Sequence, residues 1–358
     1  MKAGIILTLI TNIFVLQLLA QRECRSHTYR QEQEIRQPAL AERVRGIEQF
    51  TRAYIDALST GRLEGQVIRI PVIVHILYHF PGEKISDAAV MEQLAILNTS
   101  FRKQNPDTAS IPAVFKPLAD DTEISFELAT SDPHRKYTSG IIRKYTPVTK
   151  WTMDDKMKFS AEMGDDAWDP GQYLNIWVCN LDRFAGYASV VGGPEELDGI
   201  VIGTSAFTGN NKTIVHEAGH WLNLKHIWGD EYCGDDGVGD TPKQASYTPG
   251  CPSGSRVTCG NGPQGDMYMN YMDFTNDDCI HMFTTGQKNR MRALFAPYGP
   301  RNALLSSKGL LPPLIFESPI PEEDPKWLEP KLYPNPASQE VYIDLRYDMR
   351  WMGKMLTV

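Results

Sequence analysis

The chain has 358 residues, 42% of them apolar and 22% charged, with a formal net charge of −8. That is the composition of a folded globular protein, long enough for one large domain with appendages. The mildly acidic balance leaves no electrostatic case for nucleic acid or an anionic membrane as partner, and is compatible with acidic, cation-binding loops.

Met1-Lys2 gives a short positive start, and Ile5 to Ala20 is apolar apart from Thr8, Thr11, Asn12 and Gln17. This predicts a signal peptide over residues 1–20, cut after Ala20, and hence a secreted protein. The run is short for a membrane span, and no later stretch is apolar enough for one. Residues 21–61 are charged, with apolar spacing at Ile47, Phe50, Tyr54 and Leu58, and read as a helical pro-segment. Val67 to Tyr78 is rich in Val and Ile and predicts a strand, Ala88 to Phe101 a helix, and Glu123 to Ala129, Leu174 to Cys179 and Gly199 to Ile202 further strands. Strand, helix, then more strands is an α+β pattern: a mixed sheet with a helix on one face. Thr213 to Leu224 reads as a helix with Asn211 as cap. The chain then turns rich in Gly, Asp, Cys and Pro up to about Gly265, and Thr284 to Leu294 is a last helix. A Pro- and Glu-rich linker over 306–330 leads to an alternating strand at Glu340 to Leu345.

Residues four apart on a helix share a face, so His216 and His220 can bind one metal ion. Glu217, beside the first histidine, can reach a metal-bound water without ligating the metal. His226 lies six residues beyond His220 and can join them only if the helix ends and the chain turns sharply between. Asn223 suits that turn, because Asn tolerates left-handed backbone angles. The set predicts one catalytic zinc held by His216, His220 and His226, with Glu217 as general base and then general acid in peptide-bond hydrolysis. The competing reading is a catalytically silent, metal-stabilised extracellular binding or adhesion module, which has no use for Glu217. Four of the six cysteines, Cys233, Cys251, Cys259 and Cys279, suggest two disulfides in the irregular stretch, with three pairings open. Cys179 reads as a buried free thiol, and His75 and His79 as structural.

His-Glu-x-x-His followed by a third histidine six residues on resembles the metzincin pattern, with Asn223 where the consensus has Gly. Asn270-Tyr271-Met272-Asp273 resembles the metzincin Met-turn, which makes Met272 the floor of the metal site. His216 to His226, Ile227-Trp228-Gly229-Asp230, Asp240-Thr241-Pro242 and the cysteine spacing narrow the resemblance, over roughly residues 67 to 298, to the ulilysin-like branch of the pappalysin family. The resemblance implies a twisted mixed sheet with a backing helix, and an active-site helix above an irregular, disulfide-stapled subdomain, over residues 62–305. It implies the pairings Cys233–Cys259 and Cys251–Cys279. It also implies structural calcium near this loop, for which Asp235, Asp236, Asp240 and Thr241 offer oxygen ligands. Phe274 stands where family members have a Tyr whose hydroxyl helps stabilise the transition state. Asp277 corresponds to an acidic residue in the pocket for the residue after the cut bond, which predicts cleavage of protein or peptide substrates before Arg, or Lys.

Gly61-Arg62 just before the first strand is the expected self-cleavage junction, and Cys24 is placed to occupy the zinc and hold the enzyme latent. Lys331 to Ala337, followed by alternating Val341, Ile343 and Leu345, resembles the start of the C-terminal sorting domain of the type IX secretion system of Bacteroidetes, cut short at Val358. It implies export by that machinery if the tail over 331–358 works.

Overall fold

A computed structural model describes residues 24–58, 66–315, 331–333 and 342–344. The signal peptide, the Gly61-Arg62 junction and most of the tail fall outside the described residues.

The first strand, β1 (Ile68–Tyr78), is buried at every position except Arg69. A strand covered on both faces must be apolar throughout rather than alternating, which is why IRIPVIVHILY reads as a near-continuous apolar run. One edge of β1 pairs in parallel with β2 (Ile124–Leu128) and then, farther along, with β3 (Ile141–Tyr145). The other edge pairs in parallel with β4 (Leu174–Cys179). Outside β4 runs β6 (Ile200–Gly203), again parallel, and the antiparallel β5 (Gly186–Ala188) forms the edge of the sheet. The sheet is therefore mixed, as expected. β3 is half-buried along its whole length and β5 has three residues, so neither announces itself by apolar alternation.

Two helices pack against the sheet, and an N-terminal helix reaches its edge at β5. The Ser86 hydroxyl caps α3 (Asp87–Phe101), accepting from Ala89 N. α3 buries Val90, Leu94, Leu97 and Phe101 in the main core, each worth about 1.5–3 kcal/mol of apolar burial. α4 (Thr213–Trp221) carries His216 and His220, and Asn211 Oδ1 accepts from Thr213 N at 2.9 Å before its first turn. α4 stops at Trp221, three residues short of the expected end. α5 (Thr285–Ala293) starts from a capping box of Thr284 and Gln287.

The N-terminal segment is helical, as expected, and forms two helices, α1 (Ser26–Arg36) and α2 (Pro38–Ala57). The break falls at Gln37 because Pro38 bars its predecessor from helical angles and suits the first turn of a new helix. α2 buries Leu40, Val44 and Thr51, a stripe beside the one predicted, and Glu48 pairs with the buried Arg290 of α5 at 2.5 Å. At the other end, the expected linker begins later than residue 306. Thr130 N donates to Gly309 O at 2.8 Å and Tyr137 N to Ile315 O at 2.7 Å, which ties 309–315 to the domain. β7 (Lys331–Tyr333) and β8 (Tyr342–Asp344) pair antiparallel, β8 lying within the strand expected there. No helix among the described residues is long and apolar enough to cross a membrane.

Candidate metal centre and the segment that fills it

α4 places His216 and His220 one turn apart on one face. Asn223 then takes φ 67°, the left-handed angle the histidine spacing demanded, and returns the chain so that His226 meets the other two. His220 Nε2 lies 3.0 Å from His216 Nε2 and 3.1 Å from His226 Nε2. The other ring nitrogens are all engaged. His216 Nδ1 donates to Tyr271 O at 2.7 Å, His220 Nδ1 to Leu224 O at 2.8 Å, and His226 Nδ1 to the Asp230 carboxylate. These acceptors fix each ring's tautomer. The three Nε2 atoms then face one space, where a shared cation would relieve the repulsion between their lone pairs. Tetrahedral zinc, with Zn–N of about 2.0–2.1 Å, would set such nitrogens about 3.3 Å apart, so the cradle fits the ion. Burial, then the neighbouring His226, push the His220 ring down to about 3, which keeps it a neutral ligand.

The support behind the ligands was only partly visible in the sequence. Met272 is fully buried beneath α4, and a Cβ on Gly219 would sit 2.5 Å from its sulfur, so glycine is required for this approach. The same turn holds His216 through Tyr271 O, and Ile227 N donates to Met272 O at 3.2 Å. Asp230 had no assigned role. Burial alone would raise its carboxyl, but hydrogen bonds from His226 and His27 hold it well below the usual range. Its spacing of four from His226 was the available signal. The Phe274 ring contacts His216, His226, Trp228 and Tyr247, with centroids 4.8–5.8 Å apart, and offers the site no hydroxyl.

The cleft is filled by the chain's own N-terminal segment. Cys24 Sγ and the three Nε2 atoms all lie within 4.8 Å of one another, the one such cluster among the described residues that could hold a metal ion. Burial, then the Glu217 carboxylate, raise the Cys24 thiol well above its usual value, so a thiolate there needs a cation beside it. Glu217 is fully buried, and its Oε2 accepts from Ser26 Oγ at 2.8 Å. Ser26 Oγ also accepts from Ala188 N at 2.8 Å, and Arg25 N donates to Gly186 O at 3.0 Å. His27 Nδ1 lies 3.2 Å from Asp230. A cavity of about 50 Å³ lies between this segment and the histidine loop. Ser26, His27 and the β5 edge were not legible beforehand, because each acts through a contact across more than 150 residues of chain.

The acidic loop behaves differently. Asp240 turns to α5, where its carboxylate accepts from Thr284 Oγ1 at 2.7 Å and Gly286 N at 2.8 Å. Asp236 accepts from Thr241 Oγ1 and Val238 N, and Asp235 from Gly237 N. Asp236 and Thr241 thus share one network, while Asp240 and Asp235 bond elsewhere. Burial pushes the Asp236 carboxyl up to about 7. Cys233 pairs with Cys259 and Cys251 with Cys279, while Cys24 and Cys179 are buried free thiols. Asp277 is half-buried and accepts from Lys212 N at 3.0 Å, against the start of α4. His75 is buried in β1 between Asp165, at 2.6 Å, and Asn175, at 3.1 Å, as a structural residue.

Residues 158–296 match the profile of the peptidase family described as pregnancy-associated plasma protein-A. The chain is 41% identical over 260 residues, 69% of its length and 82% of the relative's, to an extracellular metalloprotease of Pyricularia oryzae. It is similar to mature mirolysin of Tannerella forsythia bound to a cleaved peptide, at 41% identity and TM-score 0.66, over 67% of this chain and 96% of that one. With a promirolysin mutant from the same organism the TM-score is 0.73 at 38% identity, over 80% of this chain and 97% of that one.

Proposed function

The chain belongs to the pappalysin family of metalloproteases, and from that premise we propose that it is a secreted zinc endopeptidase made as a latent precursor, with Glu217 as its general base and acid. The observation that carries the reading is the convergence of three Nε2 atoms beside a buried carboxylate, with the precursor's Cys24 and Ser26 directed at both. Zinc bound there supplies Lewis acidity, polarising a scissile carbonyl and making water acidic near pH 7. Glu217 takes the proton of the attacking water and returns it to the leaving amine. Ser26 Oγ already donates to Glu217, as that water would. A silent binding module would need neither the carboxylate nor a segment that covers it.

Latency follows from the same contacts. Cys24 Sγ would complete a four-ligand set and Ser26 occupies the base, so both must leave before substrate enters. Gly61-Arg62 is the cut that would free residues 24–57. Asp277 favours Arg or Lys after the cut bond. Its bond to Lys212 N gives it a structural task as well. Asp277→Asn separates the two, since the amide oxygen keeps the bond and loses the charge. The variant should stay folded and lose its basic preference in peptide profiling. For calcium, the buried Asp236 beside Thr241 is the centre of the proposal, because a divalent cation would hold that carboxyl ionised. Names of relatives such as that of Pyricularia oryzae, together with residues 1–20, support export, and residues 331–358 support the type IX route.

The direct test is casein digestion by the processed chain, with chelator and with zinc restored. Digestion should stop and then recover. Digestion indifferent to the chelator would refute the reading.

A further inference from the structure

β5 is an edge strand, and among the described residues the N-terminal segment meets its outer side: Arg25 N bonds Gly186 O, and Ser26 Oγ bonds Ala188 N. Such an edge is a ready template for an added peptide strand. Just beyond, Tyr29 of α1 enters a pit and is 1% exposed. Its ring lies 4.7 Å from that of Tyr187, and its hydroxyl donates to Asp155 Oδ2 at 2.8 Å. The Tyr187 hydroxyl donates to the other oxygen at 2.9 Å. Lys158, fully buried, pairs with Asp155 at 2.7 Å and donates to Leu197 O at 2.8 Å. Its ammonium lies 5.1–5.5 Å from the ring centres of Tyr187, Trp177 and Tyr29. Asp155 adopts φ 63°, a left-handed angle uncommon for a side-chain-bearing residue, and this turn carries the carboxylate to both phenols. The fit is close, with about 10 Å³ of void beside Tyr29. Asp155, Lys158, Trp177, Tyr187 and Leu197 lie outside residues 24–57.

We propose that the pit filled by Tyr29 is a substrate subsite, taking an aromatic side chain, tyrosine above all, from a peptide laid along β5. The proposal rests on the reading that residues 24–57 leave on activation. When they do, Asp155 keeps Lys158 and Tyr187 but loses one hydroxyl donor, and the Tyr187 ring and Lys158 ammonium lose their cover. A ring face satisfies Tyr187 by stacking and Lys158 by cation–π attraction. The hydroxyl sets tyrosine apart from phenylalanine, because a site built to bond an OH group leaves a buried acceptor unpaired when the group is missing. Tyr29 lies five residues past Cys24, mostly in helix, so the pit falls roughly two to four residues from the cut bond along an extended peptide.

The test is to activate the full-length chain, digest a proteome-derived peptide library and read the cut sites by mass spectrometry. Tyr should be enriched several-fold over Phe at one fixed position about that far from the cut. Asp155→Asn should bring the Tyr-to-Phe ratio toward one while the aromatic preference persists. Both residues are read within one digest, so a slower variant cannot imitate the result. If Asp155→Asn does not fold, the unmutated profile decides alone. No aromatic preference at any position would overturn the proposal, as would an unchanged ratio in Asp155→Asn. If the unprocessed chain cuts the library as fast as the processed one, the latency reading has failed. Tyr29 then never vacates the pit, and the subsite falls with it before any profile is read.

Discussion

Two stretches offered metal ligands in the sequence, His216 to His226 and Asp235 to Thr241, and the structure treats them oppositely. The three histidines converge within hydrogen-bonding distance of one another, whereas in the acidic stretch only Asp236 and Thr241 meet and Asp240 turns away to Thr284 and Gly286. The difference lies in what fixes side-chain direction. A helix sets His216 and His220 on one face by its repeat, and one left-handed residue brings in the third. An irregular loop has no repeat, so closeness in sequence says nothing about where a carboxylate points. Asp240 in particular is claimed by the first turn of α5, whose unsatisfied N–H groups attract an acidic side chain.

The largest effect should come from His226→Ala, which removes one of three converging nitrogens and should abolish both zinc retention and proteolysis, read by metal analysis and casein digestion. Asp240→Ala, by contrast, should leave zinc in place and cost about 0.5–2 kcal/mol of stability, the worth of a lost helix cap, in a denaturant titration. Zinc loss in Asp240→Ala would break the comparison. Next is Asp230→Asn, which weakens the partner that orients His226 and should lower zinc affinity about 10–100-fold in a chelator competition. Smaller again, Cys24→Ala should raise the activity of the full-length chain by roughly tenfold, the equivalent of about 1.4 kcal/mol of lost metal contact. A Cys24→Ala precursor that stays fully latent would leave the other contacts of the pro-segment as the lock.

A pH dependence at Asp236 sharpens the other half of the comparison. Its folded carboxyl, at about 7, is raised above the unfolded value of about 3.9, so the folded state binds the extra proton between those values. Stability without calcium should therefore fall as pH rises from about 4 to about 7. Asp236→Asn should flatten that slope, and so should calcium if it binds there. A slope unchanged by either would remove Asp236 from the calcium proposal.

The sequence carried the sheet's central strands and the metal cradle because both write a repeat into the chain. β1 and β4 are apolar runs, and the histidines sit at helical spacing. The disulfide pairs agree with what the family resemblance implied, although spacing alone left three choices. Missing from any repeat were β3 and β5, the break at Pro38, and the work of Ser26, Tyr29 and Asp155. Those residues act through contacts between segments far apart in sequence, and their chemistry appears only when the pro-segment is laid along β5.

The central claim is that the histidine cradle and Glu217 form a zinc peptidase whose carboxylate moves the proton. It is tested most directly on Glu217→Ala, by measuring zinc content and casein digestion together against the unmutated chain after identical processing. The account predicts one zinc retained per chain and digestion reduced by about 10²–10⁴-fold, the usual worth of a general base. A zinc-loaded Glu217→Ala that digests casein as fast as the unmutated enzyme would contradict it.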